Sequence, residues 1–128
     1  LSFYQTNEYN DLPPIYFAIH VGNLEMTKLL LEAGADPNQT EENGQTLLHS
    51  IYPPHPPLEI VKALVNAGAD PNLEDNDGET PLGSVRNLRA FSNSGFTPQD
   101  FDYLAEVEKV LEAAKGSLWQ RISKHLGF

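Results

Sequence analysis

The run Leu31-Glu-Ala-Gly-Ala-Asp-Pro-Asn38 returns as Val65-Asn-Ala-Gly-Ala-Asp-Pro-Asn72, 34 positions further along the chain. A second landmark keeps the same step. Asn43-Gly-Gln-Thr46-Leu-Leu-His49 is followed by Asp77-Gly-Glu-Thr80-Pro-Leu82, so that Thr46 and Thr80 also stand 34 apart. Two landmarks in one register restrict the fold more than any composition value does. A period in the low thirties is that of a solenoid, in which each repeat is one supersecondary unit that buries its apolar face only by stacking on a neighbour.

Each copy is preceded by apolar residues at helical spacing. Leu24, Met26, Leu29, Leu30 and Leu31 lead into the first copy, and Leu58, Ile60, Val61, Leu64 and Val65 into the second, which predicts the second helices of two successive repeats. Gly34 and Gly68 follow, where a left-handed residue closes the last carbonyls of a helix. The Asp-Pro-Asn beyond them cannot continue it. Further on, Thr97-Pro98-Gln99-Asp100 is a capping box with proline in the first turn. It opens a helix expected over residues 98–115, with Leu104, Val107, Leu111 and Ala114 along one face. After Gly116, Ser117 is expected to cap a separate short helix over residues 117–127, with Leu118, Trp119, Ile122 and Leu126 turned inward.

A length of 128 residues with 40% apolar content supports one core, so residues 1–128 are expected to form a single domain. Cysteine is absent, which removes disulfides and thiolate metal or redox sites. No stretch approaches the roughly 18 apolar residues of a membrane span, and nothing near Leu1 has the pattern of a secretory leader. A soluble, cytoplasmic chain with no membrane association is the expectation.

The quoted motifs, Gly44-x-Thr46-x-Leu48-His49, Gly78-x-Thr80-Pro81-Leu82 and the two Gly-Ala-Asp-x-Asn runs, resemble the ankyrin-repeat family over residues 9–85. The resemblance implies an all-α solenoid of about three helix-pair repeats, over residues 9–40, 41–74 and 75–116, with hairpin-like fingers between them and the short last helix as a C-terminal cap. It also gives His49 a structural role, bonding backbone and the Thr46 hydroxyl across neighbouring loops. Three departures stand out. Pro13-Pro14-Ile15-Tyr16 occupies the place of Thr-Pro-Leu-His, which suits a terminal repeat. Tyr52-Pro53-Pro54-His55-Pro56-Pro57 fills the turn inside the second repeat, so its first helix is expected to stop by Tyr52 or Pro53. Gly83 replaces histidine in the third repeat, and residues 87–95 read as a long loop of the kind that often carries function.

Few residues point to chemistry. Asp75-Asn-Asp77-Gly78-Glu79 resembles a calcium loop, but alignment on Gly78 leaves Leu73 and Ser84 where the end carboxylates belong. His20, His49, His55 and His125 are scattered, unlike zinc ligands. His49 and Ser50 point about 100° apart on a helix, and no third group orients them as a nucleophilic pair. No cofactor and no enzymatic activity are expected. The proline run reads as a connector, not as a polyproline ligand, because basic flanks are missing.

Charge narrows the partner. The formal net charge is −10, which argues against nucleic acid, whose phosphates demand Lys and Arg. The acid also has an address, since 13 of the 18 acidic residues precede Arg86, against only Lys28 and Lys62. Glu41, Glu42, Glu74, Asp75, Asp77 and Glu79 fall in the two fingers. The resemblance implies binding through finger tips and the concave face of the first helices, here Tyr9, Asn10, Leu12, Glu42, Asn43, Gln45, Tyr52, Glu74, Asn76, Asp77 and Glu79. The chain is therefore expected to be a monomer that binds a protein partner with a basic surface, charge steering the encounter and tyrosines anchoring it. A narrower form of the same expectation is an immunity protein that blocks a basic toxin such as a nuclease.

Overall fold

The computed structural model describes residues 13–91 and 95–126. Among them are five α-helices and one 3-10 turn: α1 (Pro14–Val21), α2 (Leu24–Glu32), the 3-10 turn Leu47–Ser50, α3 (Leu58–Asn66), α4 (Pro81–Phe91) and α5 (Pro98–Leu126). α1 packs on α2 and α4 on α5, while the 3-10 turn precedes α3 in the middle repeat. The pairs stack through their second members, α2 on α3 and α3 on α5, and through the 3-10 turn against α4. This is the solenoid that the 34-residue period predicts, built from helices as the family resemblance implies.

The repeat is visible in hydrogen bonds. At the end of α2 the Ala35 and Gly34 amides donate to Leu30 and Leu31 carbonyls at 3.0 and 3.1 Å, and at the end of α3 Ala69 and Gly68 donate to Leu64 and Val65 at 2.9 and 3.0 Å. Gly34 and Gly68 hold φ near 104° and 103°, the left-handed C′ position of a Schellman motif. Asp36 and Asp70 then accept from the Asn38 and Asn72 amides at 2.8 and 2.9 Å, which turns the chain outward. Asn38 clamps one repeat to the next, donating to the Gly68 carbonyl at 3.0 Å and accepting from the Asp70 amide at 2.7 Å.

The core runs through the whole stack as one cluster, from Ile15 and Ile19 through Leu47, Leu48, Ile60, Val61 and Leu64 to Leu82, Val85, Leu104, Val107 and Leu111. Burial of each such leucine or isoleucine stabilises by about 1.5–3 kcal/mol. The capping box of α5 forms in both directions, Asp100 amide to Thr97 Oγ1 at 3.2 Å and Thr97 amide to Asp100 Oδ2 at 2.8 Å.

Four features differ from the expectations. The expected loop over residues 87–95 is shorter, because α4 continues to Phe91. Arg86 and Arg89 hold that extension by ion pairs to Glu108 on α5, and Arg86 also reaches Glu112. Burial raises the Glu108 carboxyl, but hydrogen bonds from Arg86 and Arg89 outweigh it and hold it below its ordinary range. Second, the first element of the middle repeat is a single 3-10 turn. The prolines at 53, 54, 56 and 57 lack the N–H groups that a longer helix needs, and Tyr52 and His55 instead exchange backbone hydrogen bonds at 2.8 Å. Third, the first pair, whose Pro13-Pro14 start suits a terminal repeat, keeps apolar side chains turned outward. Phe17, Val21, Met26 and Leu29 are exposed, on the sides of α1 and α2 opposite to Ile15, Ala18, Ile19 and Thr27.

The fourth correction concerns Gly116, where a break was expected. α5 is one helix of 29 residues that passes straight through it. A helical glycine costs only about 1 kcal/mol relative to alanine, which is too little to end a helix whose flanks are both good formers. The separate C-terminal cap is thus the continuation of α5, and the packing expected of Trp119 and its neighbours falls on side chains outside those described. A Cβ at Gly116 meets nothing within 4 Å. Gly116→Ala is therefore expected to raise stability by about 0.5–1 kcal/mol, read as a higher urea midpoint. A lower midpoint would show that the chain does turn there.

Candidate protein-binding site

The two fingers are built by their own backbones. In the first, the Glu41 amide donates to Gln45 O at 3.0 Å and Gly44 to Glu41 O at 2.9 Å; in the second, Asp75 donates to Glu79 O at 2.8 Å and Gly78 to Asp75 O at 3.0 Å. Side chains tighten each tip. Asn43 Oδ1 accepts from the Gln45 amide at 3.0 Å, and Asp75 Oδ1 accepts from both Asp77 and Glu79 amides at 2.9 Å. The backbone bond from Glu79 is the main cause holding the Asp75 carboxyl below the usual carboxylate range.

Asn76 then locks finger to finger. Its amide donates to the Asn43 carbonyl and its Nδ2 to the Glu42 carbonyl, both at 2.9 Å. The approach is so close that a Cβ on Gly44 would lie 2.9 Å from the Asn76 amide nitrogen, so only glycine fits. At the base, His49 joins the same two repeats. Its Nδ1 accepts from the Thr46 amide at 2.9 Å and lies 3.0 Å from Thr46 Oγ1, while Nε2 lies 2.8 Å from the Glu79 carbonyl. An acceptor Nδ1 places the proton on Nε2, which donates to Glu79. His49 therefore has the structural role expected of it.

These bonds sort the expected contact residues. Glu42, Glu74 and Asp77 are exposed, and no described residue engages their carboxylates. Asn43 braces its own finger through Oδ1, the Gln45 side chain bonds the Asp75 side chain across the joint, and Asn76 bonds the backbone of the first finger. Glu79 is shared, one oxygen accepting from Asn87 Nδ2 at 3.1 Å and from Ser84 Oγ at 3.4 Å. Tyr9, Asn10 and Leu12 lie outside the described residues. Tyr16, in the place of the missing histidine, has its hydroxyl buried without a partner among the described residues; burial first and the Glu41 charge second raise its pKa.

Below the fingers, the first elements of the last two repeats leave an open groove of about 610 Å³. Tyr52 stands on one wall and Leu88 and Phe91 on the other. Tyr52 is held in place: its ring meets Phe96 edge-on at 5.4 Å, and Phe96 meets Phe101 at 5.7 Å. The Tyr103 hydroxyl, buried and raised in pKa for that reason, donates to the Pro56 carbonyl and pins the proline turn to α5. Leu88 and Phe91 were absent from the expected site because residues 87–95 read as a loop. Their i, i+3 spacing beyond Val85 is the signal that could have placed them on a helix.

Among the described residues no group of three or more His, Cys, Asp or Glu is placed to hold a metal ion, and no helix is long and apolar enough to cross a membrane.

Stacked helix pairs, rigid projecting fingers and an open groove beside them define a repeat scaffold for binding other macromolecules. The model of the family described as ankyrin repeats, in three copies, matches residues 2–75, more than half of the 128 residues, and the chain belongs to the ankyrin-repeat family. Ankyrin repeats are protein–protein interaction modules. No curated protein matches the chain.

Proposed function

We propose that this chain binds a protein with a basic surface, through Glu42, Glu74 and Asp77 at the finger tips and the groove face beneath them, and that it performs no catalytic step. The observation carrying this is that these three exposed carboxylates stand on two fingers that Asn76 ties together. The backbones that carry them are tied into one arrangement before any partner arrives. Preorganised charge steers encounter and costs little ordering on binding. The narrowest form of the reading is an inhibitor that fills the positively charged substrate groove of a basic toxin such as a nuclease.

Carbodiimide cross-linking of the chain to the partner captured from its native host tests the reading. Zero-length cross-links are expected from Glu42, Glu74 and Asp77 to partner lysines. Cross-links confined to α5, or a partner of acidic surface, would refute it.

A further inference from the structure

We infer that the groove below the fingers takes an extended segment of the basic partner, in which an aromatic or branched apolar side chain enters between Tyr52 and Phe91 and a Lys or Arg lies about four to five residues away, on the finger side. This inference rests on the proposed basic partner and adds the chemistry of the segment that it presents.

The two groove residues are unlike ordinary surface side chains. Phe91 is 77% exposed and Tyr52 58%, although Tyr52 is held from behind by the edge-on contact with Phe96. Tyr52, fixed and facing water, loses little conformational freedom when covered, and large aromatic anchors in pockets dominate interface energies. Charge assigns the other end. Glu79 lines the groove with its carboxylate bonded to Ser84 and Asn87 partway along α4, and Glu74 and Asp77 stand beyond it on the same finger, at the groove's far end from Phe91. The groove is thus acidic at one end and apolar at the other. Ten residue steps of α4 separate Pro81 from Phe91, about 15 Å at the helical rise. An extended chain covers that distance in about four to five residues.

Panning a phage-displayed library of random 12-residue peptides on the purified full chain tests the assignment without a known partner. The expected result is enrichment of peptides with Phe, Trp or Leu about four to five positions from Lys or Arg. Synthetic copies of these peptides should lose at least about tenfold in affinity to Phe91→Ser and Tyr52→Ser, with salt dependence retained. Both side chains are largely exposed, so circular dichroism and the melting temperature should confirm that the variants fold. A library without enrichment, or enriched peptides indifferent to Phe91→Ser, overturns the groove assignment. If such peptides still weaken when Glu74 and Asp77 are changed to lysine, the acidic fingers stand as the binding face. If they respond to neither, the proposed function falls as well.

Discussion

His49→Ala is expected to lower stability by about 1–3 kcal/mol, the cost of leaving buried polar groups without partners, and the melting temperature by on the order of 5–10 °C. The imidazole serves the Thr46 amide, the Thr46 hydroxyl and the Glu79 carbonyl at once. Thr46 is 2% exposed and His49 9%, so water replaces the lost bonds poorly. Thermal unfolding followed by circular dichroism reads the effect. The loss should also loosen the second finger, since Glu79 closes its base through the Asp75 amide. An unchanged melting temperature would mean that the joint between the second and third repeats is held by packing alone.

Much of the fold was legible because its determinants are local and recur at one period. Gly34 and Gly68 stop α2 and α3 through bonds within six residues, and Thr97 and Asp100 cap α5 within one turn. What escaped is tertiary. The segment Asn87-Leu-Arg-Ala-Phe91 follows a glycine-containing start, and its apolar spacing shows only when counted on from Val85. Its helix is held by Arg86 and Arg89 pairing with carboxylates on α5, 19 to 26 positions away. Gly116 misled for the opposite reason, because a glycine in sequence does not reveal whether its backbone is left-handed. At the site, residue type located the acids, but not which of them the fold consumes. Asp75 is tied to its own finger and Glu79 half engaged, while Asn43 braces its own finger and Asn76 bonds the backbone of the other. Glu112 on α5 is likewise taken up by Arg86.

The larger functional effect is expected from charge reversal at the tips. Glu42→Lys, Glu74→Lys and Asp77→Lys together should cut the association rate by about 10- to 100-fold at low salt, since electrostatic steering accelerates encounter by up to about three orders of magnitude. Each change alters an exposed side chain whose carboxylate bonds no described residue, so each should cost under about 0.5 kcal/mol of stability. The reference variant is Asp102→Lys with Glu106→Lys, on the exposed side of α5, where only Lys109 pairs with Glu106. Its two reversals change net charge by two thirds as much as the three at the tips, away from the fingers, and should alter the rate by less than about threefold.

The central claim is that the finger carboxylates, and not the overall negative charge, meet the partner. Stopped-flow association with the purified partner at ionic strengths on either side of 0.15 M, where screening acts over about 8 Å, tests it most directly. The wild-type rate should fall steeply as salt rises, the α5 variant should fall in parallel with it, and the finger variant should be nearly flat. Parallel lines for all three proteins would contradict the account.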